Sequence, residues 1–320
     1  MVKYIVRRLI DLIPTIFLVA AVVFVITRMV PGDPASAMLG PQASVEEVEK
    51  LREQLGLNEP LITQFISYIK GLLQLDLGRS LAYNEDVFTL IMTRFPNTVV
   101  LAVSALIVSL LIGVPLGIIS ATKKGSIMDL VFTTISLLGV SLPVFWLGIM
   151  LVLLFSVTLG WLPATGMGEL KDGIIPFLKH LVLPTITLAT IPMANFARII
   201  RASMLDVMEQ NYIRTARAKG VKRFWVIMKH AFKNAFTPLL TVIGMQVANL
   251  LSGAVLTETI FSWPGLGRLI VDSIEKRDYI VVQGTVLFIA VLYVLINLAV
   301  DLLYTVVNPR VSLGGSGGKS

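Results

Sequence analysis

Few side chains in this sequence are of the types, at the spacings, that covalent chemistry needs. There is no cysteine, which excludes disulfides, thiolate metal sites and thiol nucleophiles. HExxH does not occur, and the two histidines, His180 and His230, fall at opposite membrane faces in the topology derived below, so no shared metal is expected. Gly265-Leu266-Gly267 would continue to Asp in a GxGD intramembrane protease, but Arg268 stands there. The terminal LGGSGGKS has some residues of a phosphate cradle. Leu313 occupies the place of that loop's first glycine, though, and no helix is expected after Ser320 to donate its N-terminal amides. Asp11 and Asp301 lie at the ends of apolar runs, where interfacial solvation accounts for them better than a proton relay at mid-span. No catalytic residue, metal site or cofactor bound by this chain is expected. What remains is charge. RTARAKGVKRF carries Arg214, Arg217, Lys219, Lys222 and Arg223 in a chain that is otherwise mostly apolar.

The elements that must position that stretch follow from composition. With 320 residues, 55% hydrophobic and 15% charged, and a mean hydropathy of +0.82, the chain is read as an integral membrane protein. The net charge of +7 equals the excess of Lys and Arg over Asp206 and Glu209 between Arg198 and Lys233, which argues against a nucleic-acid-binding surface spread over a fold. The N-terminal apolar run is too long for a signal-peptide core and lacks a small-residue cleavage site, so it reads as a retained first span.

A bilayer core of about 30 Å needs roughly 20 helical residues. The uncharged runs Leu12 to Thr27, Val99 to Ser120, Ala235 to Thr257 and Ile280 to Val300 give four spans. Lys123 and Lys124 and the block after Arg198 should share the cytoplasmic face, so two crossings must separate them. These are a long helix bent near Gly139 and Pro143, and a second through Leu181 to Ala197. The expected fold is all-α, with six transmembrane helices and both ends inside. It comprises one transmembrane domain over 1–310 and a flexible tail over 311–320.

The outside regions are expected to be ordered. Residues 31–98 carry nine acidic and five basic side chains. In that loop Ser44-Val45-Glu46-Glu47 is a capping box, Gly56 is a helix stop, and LITQFISYIKGLL aligns Leu61, Phe65, Ile69 and Leu72 on one face. The segment ETIFSWPGLGRLIVDSIEKRDY holds a Pro-Gly turn and aromatics suited to an interface. Both could merely pack on helix ends, or receive an external partner through Glu59, Trp263 and Arg268.

The basic stretch itself has three readings: a topogenic signal, a lipid headgroup patch, or a docking surface for another protein. EQNYIRTARAKG favours a helix that stops at Gly220, and Ala216 and Ala218 would let another backbone approach closely. A second helix start, VKRFWVIMKHAFKNAF, leads into the fifth span. This arrangement favours docking over a scattered charge signal. Asn195, Gln246, Asn249 and Asn297 are polar groups within spans, suited either to helix-to-helix hydrogen bonds or to lining a pathway.

The residues YIRTARAKGVKRFWVIMKHAFKNAFTPLL resemble the cytoplasmic EAA loop of bacterial ABC importer permeases, in the form of the dipeptide, oligopeptide and nickel family. The resemblance extends to MVPGDPA, LGLNEPLITQF, LGRSL, ETIFSWPGLGRLIVDSI, RDYIVVQG and NLAVDLLYTVVNPR, almost the whole chain. The general pattern of Glu-Ala-Ala, three residues and Gly is met by Arg214-Thr215-Ala216 and Gly220. The acidic residue and first alanine are replaced, and the later Ile-x-Leu-Pro element is absent, departures that match the peptide-permease subgroup. The long loop after the first span is similar to that of the B-type subunit.

This resemblance implies a transport subunit and not an enzyme, resident in the bacterial inner membrane. Its implied partners are a second homologous permease in a heterodimer, two cytoplasmic ATPases that bind ATP and Mg, an extracytoplasmic binding protein, and membrane lipids. The coupling loop is then 203–234, with Tyr212, Arg214, Thr215, Ala216, Arg217, Ala218 and Gly220 at the ATPase contact. Di- or oligopeptides are the implied substrates, with nickel or a nickel chelate, glutathione or another small solute as alternatives. A channel or secondary transporter is the competing class, and it would need no docking helix. The topology is open to direct test because no native cysteine interferes. A thiol introduced as Arg217→Cys should resist an impermeant reagent added to intact cells and react after permeabilisation, whereas Glu59→Cys should react from outside.

Overall fold

The computed structural model describes residues 2–29, 33–40, 42–54, 56–80, 82–168, 171 and 173–307. The expected tail over 311–320 lies outside the described residues, as do the side chains of Asp11 and Asp301. Among the described residues the regular structure is helical, with one isolated bridge between Arg79 and Asp86. Five helical stretches among them are long and apolar enough to cross a membrane, and a bent pair raises the number to six. They are Leu12–Met29 within α1 (Val2–Met29), α5 (Val87–Thr122), α8 (Ile174–Met208), Arg223–Gly253, and Tyr279–Val300 within α14 (Tyr279–Val307). The bent pair joins α6 (Ile127–Ser141) to α7 (Val144–Leu151), the latter continued by a π-helical turn over Val152–Thr158.

One expectation about these spans is borne out and another corrected. The helix expected to bend near Gly139 and Pro143 does break there, by 105° between Ser141 and Val144. Pro143 has no N–H and pushes the residue before it out of the α region, and Leu142 is accordingly extended, at φ −78° and ψ 132°. The fifth span does not run to Thr257, as its uncharged residues predict: α11 (Lys233–Gly253) stops earlier and α12 (Val255–Ile260) is a separate short helix. Elsewhere the helices outrun the uncharged segments that reveal them, α5 beginning at Val87 and α8 at Ile174. Absence of charge marks the stretch that tolerates hydrocarbon, whereas backbone hydrogen bonding continues past it into the interface.

The chain divides into two compact units. The first comprises Met1–Val100, Thr165–Met167 and Ser252–Val294. Within it Asp33 caps the short α2 (Pro34–Leu39), accepting from the Ser36 amide at 3.0 Å, and α3 (Val45–Gln54) starts at the expected capping box: the Ser44 amide donates to Glu47 Oε2 at 2.8 Å and the Glu47 amide to Ser44 Oγ at 3.2 Å. The LITQFISYIKGLL segment is α4 (Leu61–Leu73), whose Phe65 meets Phe17 and Phe24 edge-on. Val87, Leu90, Ile91, Leu266, Leu269 and Val281 form the core, which joins the start of α5 to α13 (Leu266–Glu275) and α14.

One buried carboxylate organises that core. Glu258 accepts from the Thr98 hydroxyl at 2.7 Å and from the Gly267 and Arg268 amides at 2.7 and 3.2 Å, closing the N-terminus of α13. Gly265 is required there, since a Cβ would overlap Glu258 Oε1, and at Gly267 a Cβ would overlap Val255 Cα. The Gly265-Leu266-Gly267 motif therefore provides clearance around a carboxylate. Trp263 is fully buried, its Nε1 donating to the Asn97 carbonyl at 2.9 Å, and Phe261 is buried beside it. The expectation that these aromatics face an interface, with Trp263 offered to a partner, is overturned. A ring whose N–H has found a buried acceptor has no reason to lie at the surface.

The second unit comprises Leu101–Ala164, Gly168–Leu251 and Leu295–Ser320. Its helices approach closely at glycines: a Cβ on Gly113 would lie 2.5 Å from the Met193 carbonyl oxygen, and one on Gly117 would lie 2.6 Å from that of Ala197. Small residues are the usual means of bringing helices together in lipid, where burial against hydrocarbon supplies little drive.

Burial pushes the Glu258 carboxyl up, against the lowering pull of its hydrogen bonds from Thr98, Arg268 and Gly267. A folded-state pKa above the unfolded one contributes stability that is present below the unfolded value and lost as pH rises through the folded value. Glu258→Gln should thus flatten the fall in thermal stability above the ordinary Glu range. Glu258→Ala should cost more than Glu258→Gln by about 1–3 kcal/mol, because it leaves two amides and a hydroxyl without an acceptor. Thermal unfolding of the purified protein across pH checks both.

Candidate functional site

The basic stretch folds as α9 (Asn211–Ala218), separated from the end of α8 by a turn at Glu209 and Gln210. Gln210 is extended, at φ −69° and ψ 148°, and breaks the run of α8. The C-terminus is a Schellman motif. The Val221 amide donates to the Ala216 carbonyl at 3.2 Å, the Gly220 amide to the Arg217 carbonyl at 3.0 Å, and Gly220 has φ +74°. The expected stop at Gly220 is thus accounted for by a left-handed residue that glycine adopts without strain.

Two faces of α9 differ sharply. Ile213 and Ala216 are buried in a core with Ile200 and Met204 of α8 and with Val226 and Ala231. The latter two lie on the π-helical turn Val226–Phe232, which links α10 (Arg223–Trp225) to α11. Val221, the residue after the glycine, packs against the same cluster. On the other side Asn211, Arg214, Thr215 and Ala218 are exposed at helical spacing, flanked by exposed Arg217. Tyr212 is exposed as a ring, but its hydroxyl accepts from Asn234 Nδ2 at 3.0 Å and ties the helix to α11.

One expectation is corrected here. The sequence suggests Ala216, with Ala218, at a close contact with a partner. Ala216 is instead the small residue that lets α9 sit down on its own chain, because at position i+3 from Ile213 it shares the inward face. Only Ala218 remains on the outer face.

Sequence reasoning missed the clamp beneath this helix. Arg201 on α8 holds Asp129 on α6 through two hydrogen bonds, Nε to Oδ1 at 2.7 Å and a terminal nitrogen to Oδ2 at 2.9 Å. Asp129 also accepts from the Ser120 hydroxyl, and from the Gly125 amide at 3.0 Å. Ser126 caps α6 through the Asp129 amide at 3.3 Å. The turn between α5 and α6 is thereby fastened to α8 two helical turns before it leads to α9. A bidentate Arg-carboxylate pair with its remaining acceptor sites filled is among the stronger polar contacts a protein makes. The signal in the sequence was a lone acid, in KKGSIMD, within a strongly basic neighbourhood.

The other expected site residues are dispersed. Glu59 is exposed in the turn between α3 and α4, and its carbonyl accepts from Gln64 at 2.8 Å. Arg268 is half-buried, donating to the Ser262 carbonyl and lying 3.6 Å from Asp272. Asn195 is half-buried on α8 and accepts from Arg198 at 3.2 Å. Gln246 and Asn249 lie one turn apart on α11, half-buried and exposed respectively. His180 Nδ1 is 2.8 Å from the Pro176 carbonyl, and no cluster of metal-ligating side chains occurs among the described residues.

A family profile described as binding-protein-dependent transport system inner membrane component matches residues 113–313, and its N-terminal companion matches residues 1–102. The chain belongs to this family. It is the permease subunit of an ABC importer, a multi-pass inner-membrane transport component rather than an enzyme, and it works with ATPase and binding-protein components. It is 46% identical to the dipeptide transport system permease protein of Alkalihalophilus pseudofirmus, over 97% of this chain and 99% of that one. Identity to the di/tripeptide transport system permease protein of Pseudomonas aeruginosa is 44%, and to the glutathione transport system permease protein of Escherichia coli strain K12 it is 42%, with the same coverage. Among solved structures, the MetNI methionine ABC transporter in an inward-facing conformation shares the fold, with a TM-score of 0.56 at 18% identity over 68% of this chain and 96% of that chain.

The permease's basic helix should be sensitive to backbone conformation at Gly220, where a Cβ would meet nothing within 4 Å. Gly220→Val should cost about 1–2 kcal/mol through the left-handed φ alone, and Gly220→Asn much less. Trypsin cleavage after Lys219 and Lys222 in inside-out vesicles should accelerate about tenfold for Val and change little for Asn.

Proposed function

We propose that this permease translocates dipeptides and short oligopeptides delivered by an extracytoplasmic binding protein, and that it pairs with a distinct, homologous permease as a heterodimer. The observation that carries the substrate reading is the near full-length similarity, at 46% and 44% identity, to permeases named for dipeptides and di/tripeptides. Glutathione, itself a tripeptide, is the second reading, favoured by relatives at 42% identity. In the proposed topology both termini and α9 are cytoplasmic, while residues 31–98 and 258–279 lie outside and receive the binding protein around Glu59 and Arg268. Asn195, Gln246 and Asn249 are the proposed pathway residues.

The proposed coupling element is α9. Its Asn211, Arg214, Thr215 and Ala218 face enters a groove of a cytoplasmic ATPase, which binds ATP and Mg, and this chain supplies no nucleotide site. The two-faced construction of α9 supports that role: Ile213, Ala216 and Val221 bind the helix to its own subunit, so a push on the outer face is passed to α8 and α11 rather than absorbed. The Asp129–Arg201 clamp stiffens the same seat.

The experiment is peptide-stimulated ATP hydrolysis and labelled-peptide uptake by the reconstituted transporter, with glutathione and nickel as competing solutes. Ala218→Trp should insert normally and reduce both activities by about tenfold or more, since an interface core tolerates extra volume poorly. Lys222→Gln should remove only an exposed charge worth less than about 1 kcal/mol. Normal stimulation in Ala218→Trp would sink the coupling role, and uptake of nickel or glutathione in preference to dipeptide would sink the substrate.

A further inference from the structure

The first unit holds a cavity that the coupling role does not use and that is lined by neither Glu59 nor Arg268. Its volume is about 240 Å³, and it is bounded by Arg28 at the end of α1, Ser67 and Tyr68 on α4, Asp76 in the loop that follows, and Gln283 and Gly284 on α14. Its polar groups are incompletely engaged. The Tyr68 hydroxyl is buried and makes no hydrogen bond of ordinary geometry, although Gln283 lies beside it. Burial raises its pKa, so it stays protonated and able to donate. Gln283 has a 3.5 Å contact with the Thr27 hydroxyl, whose proton is already directed at the Val23 and Phe24 carbonyls at 2.9 Å. Arg28 donates through Nε to Gln64 and lies 4.7 Å over the Phe24 ring, and it has no carboxylate partner among the described residues.

Charge and position narrow what fits. One cation, Arg28, and one anion, the exposed Asp76, line the same space with a hydroxyl donor between helices, a combination complementary to a zwitterion. Arg28 is in the last turn of an apolar span, where the hydrocarbon ends. Beside it α4 turns Phe65 and Tyr68 toward Phe24 and leaves Leu61, Ile62 and Ile66 exposed. An apolar row on the same helix as a charged cavity, at the end of a span, suits a molecule with both a charged head and a hydrocarbon body.

We propose that this cavity binds the zwitterionic headgroup of an aminophospholipid, with Arg28 and Tyr68 on the phosphate and Asp76 on the ammonium. A peptide offers the same pairing of anion and ammonium but no use for the exposed row on α4. The test is native mass spectrometry of the complete purified transporter, titrated with phosphatidylethanolamine, phosphatidylglycerol or a dipeptide. Phosphatidylethanolamine should fill a saturable site about tenfold more readily than phosphatidylglycerol. Tyr68→Phe, which removes one oxygen and preserves packing, should lower that occupancy by about fivefold, and Arg28→Gln by more. Asp76→Asn should erase the preference between the two lipids. Equal occupancy by both lipids in the unaltered protein, or undiminished phosphatidylethanolamine binding in Tyr68→Phe, overturns the proposal. Displacement of the lipid by dipeptide, with the same sensitivity to Tyr68→Phe, assigns the cavity to a soluble zwitterion and overturns it equally.

Discussion

Everything in this molecule answers to one constraint: in hydrocarbon, each backbone N–H and C=O must find its partner within the protein. Helices satisfy that along their length, and the difficulty moves to the places where helices begin, break or turn back. Buried carboxylates meet it there. Glu258 accepts the first amides of α13, Asp278 accepts from the Val281 amide at the start of α14 and from the Ser80 hydroxyl, and Asp129 accepts from the Gly125 amide in the turn before α6. Each is charged or polar, nearly inaccessible, and placed at a chain reversal. In an apolar chain with few acids, these are structural fasteners first.

The same constraint shapes how helices meet. Gly113 and Gly117 bring α5 against the carbonyls of α8, and on α9 the small Ala216 brings the helix down on its seat. Close approach gives contact area without relying on water to drive it. In the second unit Ile213 and Ala216 of α9 share one core with Ile200 and Met204 of α8, so the surface helix is seated on the end of a span.

α9 also shows why one segment can satisfy several sequence signals at once. Its basic residues are gathered in one segment, its alternating faces are a packing pattern, and its terminal glycine is a cap. Arg214, Thr215 and Ala218 face outward while Ile213 and Ala216 face in, so charge and packing do not compete for positions.

The sequence by itself determined the helical membrane class, the number of apolar runs, the capping box at Ser44, the stop at Gly220 and the family, because each depends on local composition, spacing or a long stretch of matching residues. Charge-free runs located spans but not their ends, since a helix continues wherever its hydrogen bonds do. Only the tertiary structure decided which side of α9 is inward, that Trp263 is core rather than surface, and that Asp129 holds Arg201. Each of those depends on a partner distant in the chain. A tryptophan or an alanine has the same local signature whether it meets lipid, a partner or its own core, and the difference is made by what folds back against it.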